Sequence, residues 1–450
     1  MYKKILIASL ALIAGLASCK KDDPTPSPNP PSGLTIDGVA STLEFYQLDT
    51  AHLSVAGVAK DAATKAVWAV NGAKAAEGAT FDFTTAHPGK YEVTLTVDGK
   101  SAKHTYTVAP RFSEGAFLLN EGNFGNETGS LTYIHPSKKL VIDQAYFHIN
   151  GTKLGNVCQD LAFGNDQIYI ISQNGPKNGG EGLLTIARSN SLEKVKVYND
   201  EALAQSTPTH IAVLRDHIYI RTERDGILRG SSEGGFTPIT GTKKALKQRM
   251  AQIGERLFAL TSDSKVLMIQ GYQVVRELDL SPAKPSGIAV SHDGKLWVST
   301  TSPNAILKVD PTPDNFVALD THILDKSISS GWSATSAFFA HGDKLYFTGQ
   351  SSVIYCHDFA TSKTSQVIDV KTIDGVGTSA NMYYNSLGVD PATGELYYAA
   401  FEDYGTYNKK NVTMVLKADG TKLLLKEQVN SFPAGFYFIP NAANRTGANR

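Results

Sequence analysis

A short pattern of alternating apolar and polar residues recurs along most of the chain. In each copy, a first apolar run leads into a turn rich in Gly, Asp or Asn and then into a second apolar run, as in SGIAVSHDGKLWVSTT from Ser286 to Thr301. Alternation of this kind around a tight turn predicts a β-hairpin. Similar hairpins begin at Gln159, Thr209, Gln248, Thr335 and Asn385.

The second strand of this hairpin recurs at a regular interval. Its first apolar residue, in successive copies 39 to 51 residues apart, is Phe117, Ile168, Ile218, Leu257, Leu296, Leu345 and Leu396. Repeats of this length are typical of a propeller, in which each repeat forms one four-stranded blade. The copy at 115–122 lacks its first strand, and residues 431–440 at the other end of the chain have the sequence of one. We therefore predict an all-β protein with a seven-bladed β-propeller at 111–441, closed by pairing of its N- and C-terminal strands.

Residues 34–109 have a different texture, with short alternating runs separated by turn sequences such as Asn71-Gly72 and Asp98-Gly99. The run from Tyr91 to Val97 places its apolar residues on one face of a strand. The pattern predicts a small β-sandwich packed around Trp68, without a disulfide because the segment has no Cys.

The first residues have the pattern of an export signal. Lys3 and Lys4 precede an apolar stretch, and the stretch ends just before Cys19. We predict a lipoprotein signal peptide at 1–18, then a lipidated Cys19 and a Pro-rich, extended stalk at 19–33. The sequence LASC at 16–19 resembles a bacterial lipobox, and the KKDD that follows resembles the signal that sends lipoproteins of the Bacteroidota to the cell surface. That resemblance implies an outer-membrane lipoprotein exposed on the cell surface.

Composition and motifs narrow the function classes. Lys plus Arg and Asp plus Glu both number 43, so the formal net charge is zero and nothing indicates a nucleic-acid partner. The chain has no HExxH, Gly-x-Ser-x-Gly or CxxC motif. We expect no cofactor or metal, and we expect Cys158 and Cys356 to be free, buried thiols in different blades.

Propellers usually place their sites on the face formed by the loops that enter each innermost strand and those that link the second and third strands. On that face the sequence offers amide, aromatic and charged side chains, which suit a polar ligand or a protein partner. The predicted ligand-binding residues are Asn120, Glu121, Phe124, Gln159, Asp160, Gln173, His210, Arg221, Arg249, Trp332, Tyr384, Asn385, Tyr404 and Phe432. For each Asn or Asp the alternative is that it caps its own loop, and for Trp332 that it packs between blades.

Two stretches resemble known families. Residues 115–139, GAFLLNEGNFGNETGSLTYIHPSKK, with the QDLAFGNDQIYII unit, resemble Bacteroidota lipoprotein propellers related to YncE-like and surface-layer β-propellers, over roughly Phe112 to Pro440. VWAVNG, TFDF and HPGKYEVTLTV resemble Ig-like and polycystic-kidney-disease-type (PKD-like) domains. Some members of the propeller family capture cobalamin and pass it to a TonB-dependent outer-membrane transporter. The resemblance implies a non-enzymatic surface protein that binds a ligand such as a corrinoid, with such a transporter as partner.

Two other functions stay open. DGKLWV at 293–298 resembles the blade motif of propeller lactonases and streptogramin lyases, enzymes that hold a divalent cation. The residues available for that role are Glu121, Asp160, His210 and Asn385. The third interpretation is an adhesion or matrix protein in which both domains only present surface.

Overall fold

The computed structural model describes residues 33–39, 44–329, 335–349, 351–377, 387–403, 411–428 and 432–440. The predicted signal peptide, Cys19 and nearly all of the Pro-rich stalk therefore lie outside the described residues. The chain divides into two compact units: a smaller one that includes residues 51–83 and 91–106, and a larger one that includes residues 44–50, 84–90 and everything from 107 onward.

The first eight strands form two sheets. Their bounds are β1 (Thr35–Asp37), β2 (Phe45–Tyr46), β3 (Thr50–Ala56), β4 (Val67–Val70), β5 (Ala73–Glu77), β6 (Thr80–Thr84), β7 (Gly89–Val97) and β8 (Lys100–Ala109), with one short helix, α1 (Lys60–Ala63). One sheet has the strand order β1-β3-β6 and the other the order β2-β8-β7-β4-β5.

The core of the smaller unit follows the alternation in its sequence. Val93, Leu95 and Val97 of β7 are buried, as predicted for one face of a strand. Trp68 of β4 is also fully buried, and its indole Nε1 donates to the carbonyl of Gly78 at 2.9 Å. A buried Trp without such an acceptor would lose its hydrogen bond to water, so this bond stabilises the core.

The larger unit contains seven four-stranded antiparallel sheets, numbered 1 to 7 here in chain order. Sheet 1 begins with β9 (Ala116–Asn120), β10 (Ser130–His135) and β11 (Leu140–Ile142). Sheet 2 comprises β12 (Asn156–Gly164), β13 (Gln167–Gly175), β14 (Leu184–Arg188) and β15 (Lys194–Tyr198). Sheet 3 comprises β16 (Pro208–Leu214), β17 (His217–Thr222), β18 (Gly226–Ser231) and β19 (Gly234–Pro238). Sheet 4 comprises β20 (Ala251–Ile253), β21 (Arg256–Leu260), β22 (Lys265–Gln270) and β23 (Gln273–Asp279).

Sheet 5 comprises β24 (Lys284–Val290), β25 (Leu296–Thr301), β26 (Ala305–Val309) and β27 (Ala318–Ile323). Sheet 6 comprises β28 (Phe338–His341), β29 (Lys344–Phe347), β30 (Val353–Asp358) and β31 (Lys363–Asp369). Sheet 7 comprises β32 (Leu387–Val389), β33 (Leu396–Phe401), β34 (Asn411–Leu416) and β35 (Lys422–Gln428). The last strand is β36 (Pro433–Phe438), and the short helices are α2 (Ala145–Asn150) and α3 (Glu201–Ser206).

Strand β36 completes sheet 1. It pairs antiparallel with β9, with Tyr437 opposite Phe117, so one sheet contains strands from both ends of the larger unit. This pairing confirms the closing strand predicted from residues 431–440. The seven predicted second strands are also confirmed, because each marker residue lies in β9, β13, β17, β21, β25, β29 or β33.

Burial falls from the first strand of a sheet to the fourth. All seven residues of β16 are buried, whereas five of the six residues of β27 are exposed. First strands also contact first strands of neighbouring sheets, as β24 does with β20 and β28. The continuous apolar runs of the first strands are therefore explained by cover on both faces, which outer strands lack.

Several turns predicted from sequence have the backbone that such turns need. Asp166, Gly294, Gly342 and Gly394 all have positive φ, at 56°, 76°, 60° and 74°. Gly adopts this left-handed region without steric penalty, and Asp tolerates it, which explains these residue types at these places.

Both cysteines of the larger unit are free thiols, as predicted. Cys158 is buried, but Cys356 in β30 is only half-buried. Burial raises the pKa of Cys158, and it raises the pKa of Cys356 to about 11. In the part of the chain that the structure describes, no helix is long and apolar enough to cross a membrane.

Candidate functional site

Side chains from four sheets meet beside the first strands. Asp160 comes from sheet 2, His210 from sheet 3, Arg249 from the segment that enters sheet 4, and Tyr437 from the closing strand of sheet 1. We call these four residues the inner cluster. Three of them were predicted as ligand-binding residues, and their separation in sequence shows that only the sheet arrangement brings them together.

Arg249 connects the segment that enters sheet 4 to the closing strand. Its two Nη atoms donate to the carbonyls of Ala434 and Phe436 at 3.3 and 3.4 Å, and its guanidinium lies 4.2 Å from the centre of the Tyr437 ring. A Cβ at Gly435 would lie 1.7 Å from Arg249 Nη2. Gly435 is therefore required for this approach, and Arg249 ties sheet 4 to the closing strand.

The Asp160 carboxylate is surrounded by donors. It accepts from the backbone N–H of Ile211 at 2.9 Å and from the Tyr437 hydroxyl at 2.7 Å, and Arg249 Nε lies 3.5 Å away. Burial raises the pKa of the Asp160 carboxyl, while the Arg249 charge and the two donors act in the opposite direction. The side chain therefore links sheets 1, 2 and 3 and has few positions left for an external partner.

His210 is fully enclosed and has a neighbour at each ring nitrogen. Nδ1 lies 3.1 Å from Thr209 Oγ1, and Nε2 lies 3.1 Å from Thr335 Oγ1, which belongs to the segment entering sheet 6. Burial lowers the pKa of His210 well below its usual range, and the charges of Arg221, Lys247 and Arg249 add to this effect. The imidazole is therefore neutral near pH 7, donating with one nitrogen and accepting with the other.

A second group of charges is more open to solvent. Arg221, Glu223 and Lys247, here called the rim cluster, have exposed side-chain fractions of 7%, 38% and 19%. Arg221 Nη1 lies 3.0 Å from Glu223 Oε2, and Lys247 Nζ lies 3.9 Å from Glu223 Oε1.

The members of the rim cluster differ in how firmly they are held. Arg221 also donates twice to the carbonyl of Ala245, at 3.2 and 3.0 Å. Among the described residues, the Lys247 ammonium has no contact that short. Burial lowers the pKa of Lys247, although the charges of Glu121 and Glu223 oppose the shift. Lys247 is therefore the cation of this group that can most readily change partner.

The remaining predicted residues have varied positions. Glu121 is buried, and its backbone N–H donates to the carbonyl of Phe432 at 2.8 Å, so the two residues belong to the same end of the sheets. Gln159 is buried and Gln173 half-buried. Trp332, Tyr384, Asn385 and Tyr404 lie outside the described residues.

Asn120 and Phe124 also lie outside the two clusters, and each has partners of its own. The amide of Asn120 donates to the hydroxyls of Ser130 and Thr132 at 3.2 and 3.3 Å, so it bonds within its own sheet. The Phe124 ring is 60% exposed and is covered by the ammonium of Lys177, 3.7 Å from the ring centre.

Sequence reasoning missed Lys247 and Tyr437. Lys247 directly precedes Gln248, where the sequence placed the start of the entering loop, so a slightly longer loop would have included it. Tyr437 had no such signal, because it stands in an apolar run that reads as a buried strand. Only the pairing of β36 with β9 aims its hydroxyl at Asp160.

The described residues suggested for a divalent cation are not arranged as a metal site. Within the described ranges, no group of three or more His, Cys, Asp or Glu side chains is arranged to hold a metal ion. Glu121, Asp160 and His210 are therefore not such a group, and the fourth residue suggested for it, Asn385, lies outside these ranges.

The chain was compared with known proteins. It is similar to the solved structure of a quinonprotein alcohol dehydrogenase-like protein from Bacteroides thetaiotaomicron, with 14% identity and a TM-score of 0.58 over 88% of this chain and 95% of that one. It also matches BamB from Moraxella catarrhalis (12% identity, TM-score 0.37, 60% and 76% coverage) and a protein of unknown function from Bacteroides caccae (11%, 0.38, 72% and 98%). At 14% identity the first of these structures shares only its fold with the chain, and that fold is a β-propeller.

No curated protein matches the chain. A family model described as "Domain of unknown function (DUF5074)" matches residues 114–440, which is most of the chain and nearly all of the larger unit. The chain therefore belongs to the DUF5074 family.

Proposed function

We propose that this protein is a non-enzymatic binding protein of the cell surface, and that its ligand contacts the rim cluster. The proposal rests on how weakly Lys247 is paired. Its ammonium is 3.9 Å from the Glu223 carboxylate, whereas Arg221 and Asp160 have shorter hydrogen bonds within the protein. An ammonium that is weakly paired and partly exposed can exchange its contact for an anionic ligand group at little cost.

The contacts of the inner cluster support binding rather than catalysis. A general base must reach the proton that it removes, and a nucleophile must be accessible. The Asp160 carboxylate already accepts from Ile211 and Tyr437, and His210 has a hydroxyl at each nitrogen. In this proposal these groups link the sheets to one another and support the rim cluster.

The cellular setting of the proposal rests on the sequence. Cys19 would carry the lipid, the Pro-rich segment would act as a stalk, and residues 34–109 would form an Ig-like spacer. The seven sheets would form the blades of a closed propeller. A surface protein of this kind would capture its ligand for a TonB-dependent transporter.

A corrinoid is the first ligand to test. Cobalamin carries a phosphodiester and several amides, groups that an ammonium and a carboxylate can bind. We would titrate the full-length protein in detergent with cyanocobalamin by calorimetry, alongside Lys247→Ala and a matched control. The control is Lys244→Ala, because Lys244 is exposed and pairs with Asp263 at 3.0 Å away from the rim cluster.

One-to-one binding that Lys247→Ala weakens about tenfold and Lys244→Ala leaves unchanged would support the proposal. Absence of heat and of any spectral shift would remove the corrinoid. Binding unaffected by Lys247→Ala would remove the rim cluster as the site.

The lipid anchor and the enzymatic alternative have separate tests. Cys19→Ser should abolish incorporation of labelled palmitate and move the protein from the membrane fraction to the soluble fraction. For the lactonase or lyase alternative, purified protein would be analysed for bound Ca²⁺ and Mg²⁺. One equivalent of metal that depends on Asp160 would favour that alternative and contradict the proposal of a non-enzymatic protein.

A further inference from the structure

A cleft of about 910 Å³ opens at the other ends of the first strands. In the inner cluster, Arg249 precedes β20 and His210 is the third residue of β16, whereas the cleft is bordered by the hairpin turns where the first strands of sheets 2, 3 and 4 end. The three turns are Asn165-Asp166, Arg215-Asp216 and Gly254-Glu255. The volume lies within the range of pockets that hold small molecules, roughly 300–1,000 Å³. None of the predicted ligand-binding residues that the structure describes lines this cleft.

Arg229 of β18 forms part of the wall of this cleft, and it is rigidly held. Its neighbour on β17, Tyr219, donates from its hydroxyl to the carbonyl of Gly271 at 3.2 Å. The Arg229 guanidinium stacks 3.8 Å from the centre of the Tyr272 ring, in the turn that follows β22. The guanidinium is therefore positioned between sheets 3 and 4 by aromatic contacts, before any ligand is present.

The charge of Arg229 is not neutralised by the described part of the protein. The residue is only 7% exposed, its Nε is buried without a hydrogen-bond partner, and no described carboxylate lies within ion-pair distance. Arg215, in the same cleft, is exposed and paired with Glu255. Burying a guanidinium without an anion is costly, and a carboxylate that bonds two of its N–H groups removes most of that cost.

The rest of the lining limits the class of anion. Val213, Leu214 and Pro440 offer an apolar wall, which suits a ligand with a hydrocarbon body. Asp216 and Glu255 also border the cleft, and their negative charges disfavour a multiply charged phosphate. A single carboxylate on an apolar body fits both features.

We propose that this cleft binds a small monocarboxylic organic acid, with the carboxylate on Arg229 and the apolar body against Val213, Leu214 and Pro440. The site is separate from the rim cluster and does not depend on the function proposed above. Its ligand is a different class of molecule, and its test uses different probes and variants.

The test compares three probes on the full-length protein by calorimetry: 4-phenylbutyrate, its neutral amide 4-phenylbutanamide, and inorganic phosphate. We expect saturable one-to-one binding of the acid, at least tenfold weaker binding of the amide, and no binding of phosphate. Arg229→Gln should weaken binding of the acid at least tenfold, whereas Arg215→Gln, the matched control in the same cleft, should leave it within about twofold.

A second variant keeps the test independent of the stability of Arg229→Gln. Gln252→Trp fills the cleft from β20 while Arg229 stays in place, and it should abolish binding with an unchanged circular dichroism spectrum. The proposal is overturned by an acid that does not bind, by an amide that binds as well as the acid, by phosphate that binds more tightly, or by folded Arg229→Gln or Gln252→Trp protein that binds normally.

Discussion

Buried arginines near the two ends of the first strands have different partners. Arg249, at the starting end, contacts Asp160, the Tyr437 ring and two backbone carbonyls. Arg229, at the turn end, is more buried and has aromatic contacts without an acid. A buried charge whose partners are all within the protein stabilises the fold, whereas one without an anion is a candidate for binding a ligand. Substitutions at the two ends should therefore differ in their effects on stability.

The largest effect is expected from removing the acid at the starting end. Asp160→Ala leaves the buried Ile211 N–H without its acceptor and the Arg249 guanidinium without its ion-pair partner, which should lower the free energy of unfolding by about 3–5 kcal/mol. Denaturant unfolding of the larger unit measures the change. The control, Asp263→Ala, removes a partly exposed ion pair and should leave the midpoint almost unchanged. Equal effects of the two substitutions would contradict the role given to Asp160.

Gly435→Ala tests the approach of Arg249 to the closing strand. The new Cβ would lie 1.7 Å from Arg249 Nη2, so the arginine must move, and we expect a loss of about 3 kcal/mol. Gly294→Ala is the matched control, because its φ is also positive but nothing lies within 4 Å of the added Cβ. Backbone strain alone should then cost about 1 kcal/mol. A similar loss in both variants would mean that Arg249 adapts freely.

The two arginines can be compared directly by the same substitution. Arg249→Gln removes the charge facing Asp160 and should destabilise the unliganded protein by about 2–3 kcal/mol. Arg229→Gln removes an unpaired charge and a cation–π contact, opposing effects that should leave a change below about 1 kcal/mol. Thermal unfolding of both variants without ligand measures the two changes in stability. A larger loss of stability for Arg229→Gln than for Arg249→Gln would contradict this interpretation.

The smallest effect on stability is expected from lowering the pH. The pKa of His210 is lowered in the folded protein, so the unfolded chain takes up the proton first as the pH falls. The contribution of His210 to stability is therefore present above about pH 6.5 and decreases below it, by at most about 1.4 kcal/mol per pH unit. His210→Gln should flatten the dependence of the unfolding midpoint between pH 7 and 5.

The matched control for this measurement is His148→Gln, at an exposed position in α2. It should leave the pH dependence as it is. Burial also lowers the pKa of His357, so part of the slope should persist in His210→Gln. A slope identical to that of the unchanged protein would show that His210 does not contribute.

The repeat in the sequence was sufficient to predict the first and second strands of the sheets in the larger unit. Ile168, Leu296 and their counterparts mark second strands because apolar alternation on a strand with two covered faces leaves a strong local signal. The closing strand was predictable for the same reason, since residues 431–440 have the pattern of a first strand without a following second one. The candidate sites were predictable only in part. Asp160, His210 and Arg249 were predicted, although Asp160 and His210 lie within β12 and β16 and not in entering loops. The cleft around Arg229 was missed because turn residues there serve the turns.

The period of the repeat, its strands and its turns could be predicted from the sequence alone, because they depend on neighbours a few positions away. Which buried charges are paired depends on the tertiary structure. Arg249 meets Ala434 across 185 residues, and Asp160 meets Tyr437 across 277. Tyr272 shields Arg229 only because sheets 3 and 4 are adjacent. Such pairings arise from the order in which sheets pack, and the stabilisation of a buried charge depends on distances of a few ångströms that local pattern does not contain.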